Sequence, residues 1–212
     1  MEKIQILIRF LERKYGYPKV GGGSKFRLLI ATVLSQRTRD ENTHKAASQL
    51  FSVAQTPETI SKLPLKKIEE LIRPSGPYRQ KAKRIKQISK ILLEDHKGRV
   101  PMRRDELMEL PGVGYKTADI VLSYGFGVPT IAVDTHVNRI PKRLGIIPEK
   151  ANVEEVRKRL EKTVKGKKRF IVNLGLVRFG QQICRPVGPK CEECPLKKIC
   201  KYYKEVVCNE KR

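Results

Sequence analysis

Four cysteines near the C-terminus constrain this 212-residue chain more than any other feature. Cys184, Cys191, Cys194 and Cys200 follow the spacing C-x6-C-x2-C-x5-C, so a short segment can bring four thiolates to one centre. Structural zinc usually uses two separated C-x2-C pairs, whereas this segment has one such pair flanked by single cysteines. Compact four-cysteine ligation is typical of an iron–sulfur cluster, and these four are the predicted ligands. Cys208 lies outside the spacing and is predicted to be a spare.

Helix signals recur along the chain, whereas alternating strand patterns bounded by hairpin turns are missing. The opening MEKIQILIRFLERK predicts an amphipathic helix and not a secretion signal, because charges interrupt its apolar run. Ser24, Asn152 and the pair Thr56-Pro57 suit helix N-termini. The predicted class is therefore all-α. Further helices are expected at 24–35, 41–53, 64–73, 78–97, 105–110, 115–124, 135–144, 152–164 and 167–180.

No stretch approaches the roughly 20 apolar residues that a membrane helix needs, so we expect a cytoplasmic protein. The 46 Lys and Arg residues against 22 Asp and Glu residues give a net charge of +24, which attracts polyanions. The segments 79–90 (RQKAKRIKQISK) and 157–169 (RKRLEKTVKGKKR) concentrate that charge and are expected to bind phosphates. The expected partner is a nucleic acid, and with 6% aromatic residues and no Trp a duplex is favoured over single strands. An acidic protein partner or an anionic membrane is the alternative.

The segment LPGVGYKTA at 110–118 predicts a tight turn between two short helices. Gly112 and Gly114, on either side of Val113, permit positive φ and close backbone approach, and the second helix directs its N–H groups toward a phosphate. The structural alternative is an interhelical turn with glycine caps. Lys116 lies in the first turn of the second helix. A neutral amine beside a bound phosphate could attack the anomeric carbon of a nucleotide.

The apolar stretch at 131–133 leads into Asp134, which could cap the helix that begins near residue 135. The functional alternative is a carboxylate held near Lys116, able to accept a proton from its ammonium and to stabilise an oxocarbenium-like transition state. The two interpretations are compatible, because a capping residue is rigidly placed. His136 could contact a phosphate or simply fill space, and a supporting polar contact is the favoured interpretation.

These features, in this order, resemble the endonuclease III family of DNA glycosylases, within the helix-hairpin-helix superfamily. The resemblance runs from about Lys25 to Cys200. LPGVGYKTA resembles the family hairpin with its catalytic lysine, at Lys116, and TIAVDTHVNR resembles its catalytic aspartate segment, at Asp134. The cysteine spacing matches the family signature for a 4Fe-4S cluster.

The resemblance implies a two-domain fold. A six-helix barrel would occupy 24–130 and contain the helix-hairpin-helix at about 105–124. A terminal helical domain would combine 1–23 with 131–212 and carry the cluster loop at 184–200.

The resemblance also implies bifunctional base-excision chemistry on duplex DNA that contains damaged bases or abasic sites. Lys116 would displace the base, form a Schiff base with the sugar and break the strand by β-elimination. A monomer suffices for this chemistry, and a nucleoid-associated location follows from it. The alternatives are a monofunctional glycosylase for mismatched thymine or uracil or for alkylated bases, and a non-catalytic DNA-binding module.

Two positions depart from the family pattern where damage is recognised. Arg37, in LSQRTRD, stands where the family commonly has a glutamine that fills the gap left by the flipped nucleotide. Pro77, in SGPYRQKA, stands where a leucine wedge is common. Either residue could occupy the vacated stack, since base flipping needs such a substitute. Oxidised pyrimidines are the expected substrates, and these departures leave the lesion preference open.

Overall fold

The computed structural model describes residues 2–207, and this part of the chain is helical without a β-strand. Each predicted helix is confirmed to within a few residues, and Cys208 lies outside the described part. Short 3₁₀ turns follow at Arg73–Ser75 and Lys197–Ile199, and π-helical turns at Val121–Gly125 and Tyr203–Val207. The α-helices are α1 (Glu2–Tyr15), α2 (Lys25–Leu34), α3 (Asp40–Val53), α4 (Pro57–Lys62), α5 (Leu65–Leu71), α6 (Tyr78–His96), α7 (Arg104–Glu109), α8 (Tyr115–Ile120), α9 (Thr135–Arg143), α10 (Val153–Thr163) and α11 (Lys168–Gln182).

The chain divides into two compact units. The internal unit, Val20–Val128, contains α2 to α8. The terminal unit combines the residues up to Lys19 with those from Pro129 onward, and it contains α1 and α9 to α11. Each unit has a hydrophobic core of its own. No helix among the described residues is long and apolar enough to cross a membrane.

Helix α2 lies in the core of the internal unit. It begins where the Ser24 hydroxyl accepts a hydrogen bond from the Arg27 N–H, as the sequence predicts. Leu29, Ile30 and Val33 are fully buried, because α3, α6 and α8 pack around the helix. Burial of each such side chain contributes roughly 1.5–3 kcal/mol.

In the terminal unit, α1 packs against α11, which joins the two ends of the chain in one core. The buried stripe of α1 consists of Ile4, Leu7, Ile8 and Leu11. Gly175 lies where the two helices approach most closely, since a Cβ there would stand 3.0 Å from the Leu11 side chain.

Two predicted helices end earlier than expected. The segment predicted at 64–73 leaves the α-helix after Leu71, because Pro74 disfavours helical backbone at the preceding residue, Arg73. The segment predicted at 115–124 is α-helical only to Ile120 and continues as a π-helical turn. Such turns are frequent at functional sites, and this one follows the helix that carries Lys116.

Candidate active site and metal centre

The turn between α7 and α8 is the hairpin predicted at 110–118. Gly112 has φ +78°, where only glycine is unstrained, so this part of the prediction is confirmed. Gly114 is different: its φ is −103°, so it does not use the positive φ that glycine permits. A Cβ on Gly114 would meet nothing within 4 Å, which leaves its backbone open to an approaching group. Val113 is 5% exposed and anchors the turn in the core of the internal unit.

Two side chains that the sequence analysis did not single out support the hairpin. The Gln36 amide donates to the Gly112 carbonyl at 2.8 Å and to the Thr117 hydroxyl at 3.2 Å. The Arg84 side chain lies against Gly112, so a Cβ there would stand 2.7 Å from Arg84 Cδ. Arg84 thereby adds a positive charge beside the turn. The only sequence signal for this role of Arg84 was its position in the basic segment 79–90.

Lys116 is the second residue of α8 and is exposed. Helix geometry holds it directly after the hairpin, because Gly114 accepts the first helical hydrogen bond from the Ala118 N–H at 3.0 Å. The amine therefore stands on the solvent-facing surface of the internal unit, where a nucleic acid can reach it. Its place in sequence and structure suits a nucleophile next to a phosphate-binding turn.

Asp134, in the terminal unit, is the N-cap of α9 and is half-buried. Its Oδ1 accepts hydrogen bonds from the backbone N–H groups of His136 at 2.9 Å and of Val137 at 2.8 Å. The buried stretch at 131–133 fixes the chain before the cap. The predicted capping role is confirmed.

His136 is half-buried against α11. Its Nδ1 lies 3.1 Å from Arg139 Nη2, and a Cβ on Gly180 would stand 2.1 Å from the same nitrogen. Within the terminal unit this ring therefore packs α9 against α11. Its predicted contact to DNA stays a prediction.

We expect Gly180→Ala to destabilise the protein by about 2 kcal/mol, because a 2.1 Å approach forces the His136 ring to move. Alanine also gains about 1 kcal/mol of helix propensity over glycine, which is too little to offset the clash. Urea unfolding measures the change. On a His136→Ala background the same substitution should become neutral or stabilising, and an unchanged penalty there would contradict the assigned contact.

Arg37 and Pro77 lie together in the internal unit. Both are exposed, and they line one cavity of about 370 Å³ with Gln36, Gln80, Lys81 and Arg84. Arg37 has φ +52°, a left-handed backbone conformation that is uncommon for residues other than glycine. Pro77 directly precedes α6. The two positions that depart from the family pattern are thus neighbours around one opening.

The four clustered cysteines line one cavity in the terminal unit, together with Arg143. Burial raises the pKa of the Cys194 thiol to about 11, and the neighbouring thiols add to the rise. Burial also raises the pKa values of Cys191 and Cys200. Four thiolates in this place therefore need bound positive charge to be stable.

The donor set fits a four-thiolate cluster. Among the described residues, no carboxylate or imidazole lines the cavity, and no three His, Cys, Asp or Glu side chains form a group that could hold a metal ion. Four thiols around one cavity are the ligand set of an iron–sulfur cluster, although they are not arranged here as a single-ion site. Lys190 and Lys197 line the same cavity and complement the negative charge of such a ligand set.

Arg143 organises the cysteine loop. The sequence did not predict this role. Its guanidinium donates to the carbonyls of Arg185 at 2.6 Å and Pro186 at 2.9 Å, and lies 3.6 Å from Cys184 Sγ. It also stacks over the Tyr202 ring at 4.6 Å. Its position in the last turn of α9 gives no sequence signal for this role.

Part of the positive charge in the two basic segments is not available to DNA. Lys81 is 1% exposed and lies inside the internal unit. Arg157 pairs with Glu154 and Glu161, and Arg169 donates to three backbone carbonyls. The expected phosphate binding by the two segments therefore falls to their other basic residues.

Comparison with known proteins identifies the family. Residues 30–166 match the model of the HhH-GPD superfamily base excision DNA repair proteins. Endonuclease III of Thermotoga maritima is 51% identical over 84% of each chain. The chain belongs to this superfamily. The predicted family and the role in base excision DNA repair are thereby confirmed.

Solved structures agree with the fold. A trapped endonuclease III–DNA covalent intermediate is 37% identical with a TM-score of 0.89, covering 100% of this chain and 98% of that one. A thermostable thymine-DNA glycosylase is 28% identical with a TM-score of 0.87, covering 96% and 97%. The all-α helix-hairpin-helix fold is confirmed. The protein is a base excision repair enzyme.

Proposed function

We propose that this enzyme is a bifunctional DNA glycosylase and abasic-site lyase with Lys116 as its nucleophile. The amine attacks C1′ of the damaged nucleotide, and the electron pair of the broken N-glycosidic bond leaves with the base. The C1′–O4′ bond then breaks, O4′ takes up a proton, and the nitrogen lone pair forms the C1′=N bond of a Schiff base. The Schiff base allows loss of a C2′ proton, and the C3′–O bond breaks as the 3′ phosphate leaves with its electron pair. The exposed lysine directly after the hairpin is the observation that carries this proposal, because a sugar carbon must be reached from outside the protein.

Asp134 supplies the carboxylate of the reaction in this proposal. It takes the proton that Lys116 must lose, and its charge stabilises the oxocarbenium-like transition state. The cap supports this assignment, since two backbone N–H groups hold one oxygen of the carboxylate in a fixed place. A carboxylate so oriented loses no side-chain freedom when the substrate binds.

The substrate in this proposal is duplex DNA with an oxidised pyrimidine or an abasic site, acted on by a monomer. Gly112, Val113 and Gly114 hold one phosphate through the hairpin backbone, and His136 adds a polar contact. Arg37 and Pro77 fill the gap left by the everted nucleotide. Their shared cavity supports this role, because both can approach one point of the duplex.

A set of duplexes, each with a single lesion, tests the proposal by following base release and strand cleavage separately. We expect both products from an oxidised-pyrimidine duplex, and strand cleavage from an abasic-site duplex. Base release without strand cleavage would favour a monofunctional enzyme. The similarity to a thymine-DNA glycosylase is the observation that favours this second candidate. Binding without any product would leave only the non-catalytic module.

Cys184, Cys191, Cys194 and Cys200 hold a 4Fe-4S cluster in this proposal. When bound, the cluster would cross-link the loop and add negative charge within it. The reaction on DNA would be carried out by side chains and not by the cluster. The buried thiols support the assignment, as does Arg143, which donates to the carbonyls of Arg185 and Pro186 beside Cys184. The ordered loop then presents its lysines to the DNA backbone.

We expect Cys194→Ala to lose the cluster and to lower the melting temperature, because metal binding contributes to the folding of this segment. Anaerobically purified wild type should be brown and contain iron, while the variant should be pale. Cys208 is the matched control, since Cys208→Ala should keep colour and iron. Colourless wild type with stoichiometric zinc would contradict the cofactor.

A further inference from the structure

Lys81 is a buried cation in the middle of the internal unit. It is 1% exposed and lies on the buried stripe of α6 with Ala82 and Ile85, although the segment 79–90 is strongly basic. Its three ammonium hydrogens match three oxygens: the Leu34 carbonyl at 2.6 Å, the Thr38 hydroxyl at 2.7 Å and the Ser75 carbonyl at 2.6 Å. All three acceptors are neutral. Burial lowers the pKa of Lys81 to about 8, because the charged form loses its hydration. Lys81 therefore does not serve to keep the protein surface soluble.

The three acceptors flank the residues assigned to the gap in the duplex. Leu34 ends α2 and Thr38 follows Arg37, while Ser75 precedes Pro77 by two residues. Thr38 also donates its hydroxyl hydrogen to the Ser75 carbonyl at 2.6 Å. One ammonium group therefore ties the Arg37 segment to the Pro77 turn, with direct bonds to both.

The strained backbone of Arg37 lies within this network. Residues 34 and 38 are held by Lys81, and Gln36 is held by the hairpin through the Gly112 carbonyl. Arg37 alone points outward between them, at φ +52°. A left-handed non-glycine residue persists only where the surrounding structure over-determines it, and such residues are concentrated at functional sites.

We propose that Lys81 is a positioning residue that locks Arg37 and Pro77 into one rigid pair, ready to enter the duplex where a nucleotide has left the stack. The inference rests on the proposed function, since it concerns how that site recognises damage. Preorganisation of this kind saves the cost of ordering two segments during binding. It increases the preference for lesion DNA, because undamaged DNA offers no gap to fill.

The test compares binding to two duplexes of one sequence, one undamaged and one with a tetrahydrofuran abasic-site analogue. Lys81→Met keeps the apolar stem and removes the three donors. We expect it to lower the preference for the abasic duplex about tenfold while binding to undamaged DNA stays nearly constant. Lys83→Met is the control, because Lys83 is an exposed lysine on the same helix. It should weaken binding to both duplexes by the same factor.

A double-mutant cycle separates positioning from general stability. Lys81→Met on an Arg37→Ala background should cost clearly less preference than on the wild-type background, because only Pro77 is then left to be positioned. Equal losses on both backgrounds would show a merely structural role and overturn the proposal. Thr38→Val removes only the shared hydroxyl and should reproduce part of the loss of preference for the abasic duplex. If Lys81→Met fails to fold, Thr38→Val replaces it in the cycle.

The outcomes also separate this inference from the proposed function. If wild type cleaves abasic-site DNA but Lys81→Met and Thr38→Val keep its full preference, the positioning role is wrong and the function stands. If wild type neither cleaves abasic-site DNA nor prefers the analogue, both are wrong.

Discussion

Lys116→Gln is expected to abolish the adduct that borohydride traps between the enzyme and abasic-site DNA. Glutamine is one atom shorter than lysine and can still donate to a phosphate, but it has no amine to form a Schiff base. The loss of strand cleavage should therefore be at least about 1000-fold. Lys116 is exposed, so the free energy of unfolding should change by less than about 0.5 kcal/mol. Denaturing gels measure the adduct, and urea unfolding measures stability.

Lys66→Gln is the matched control for this substitution. Lys66 is exposed on α5 in the same unit, outside the segments assigned to DNA. Its adduct yield should equal that of wild type. A normal yield from Lys116→Gln would instead show that another amine is the nucleophile.

Asp134→Asn is expected to slow base release about 100-fold with little change in stability. Asparagine keeps a side-chain carbonyl that can accept from the N–H groups of His136 and Val137, and it caps helices as well as aspartate does. It lacks the negative charge that the reaction needs. Asp134→Ala should show the same slow reaction and also lose about 1 kcal/mol of stability. Single-turnover rates and urea unfolding distinguish the two effects.

Asn152→Ala provides the structural control in the terminal unit. Asn152 caps α10 through a capping box with Glu155 and has no assigned role in the reaction. We expect it to cost about 1 kcal/mol of stability without slowing base release. If Asp134→Asn reacts at the wild-type rate, Asp134 is a cap only and its catalytic assignment is wrong.

The helices could be predicted because their signals are local. Ser24 and Asn152 each cap the helix that their position predicts, since a cap depends on a few neighbouring residues. Gly112 likewise has its predicted conformation, because a tight turn imposes it. The family could be assigned from two short motifs and one cysteine spacing, which tertiary structure does not alter.

Burial of charge could not be predicted from the same patterns. Lys81 and Arg84 are three residues apart in one basic segment, yet Lys81 is inside the protein and Arg84 lies beside the hairpin. The difference depends on carbonyl groups of residues far away in sequence, such as Leu34. The left-handed conformation of Arg37, between residues held by such distant contacts, was also not predicted. Neither the burial of Lys81 nor the backbone conformation of Arg37 can be predicted from residue spacing.

Mass spectrometry of the borohydride-reduced adduct tests the central claim most directly. Wild-type enzyme is reduced on abasic-site DNA, digested with a nuclease and a protease, and searched for the peptide that carries the sugar. We predict that the modification lies on the side chain of Lys116. A modification at any other lysine or at the N-terminal amine would contradict the account.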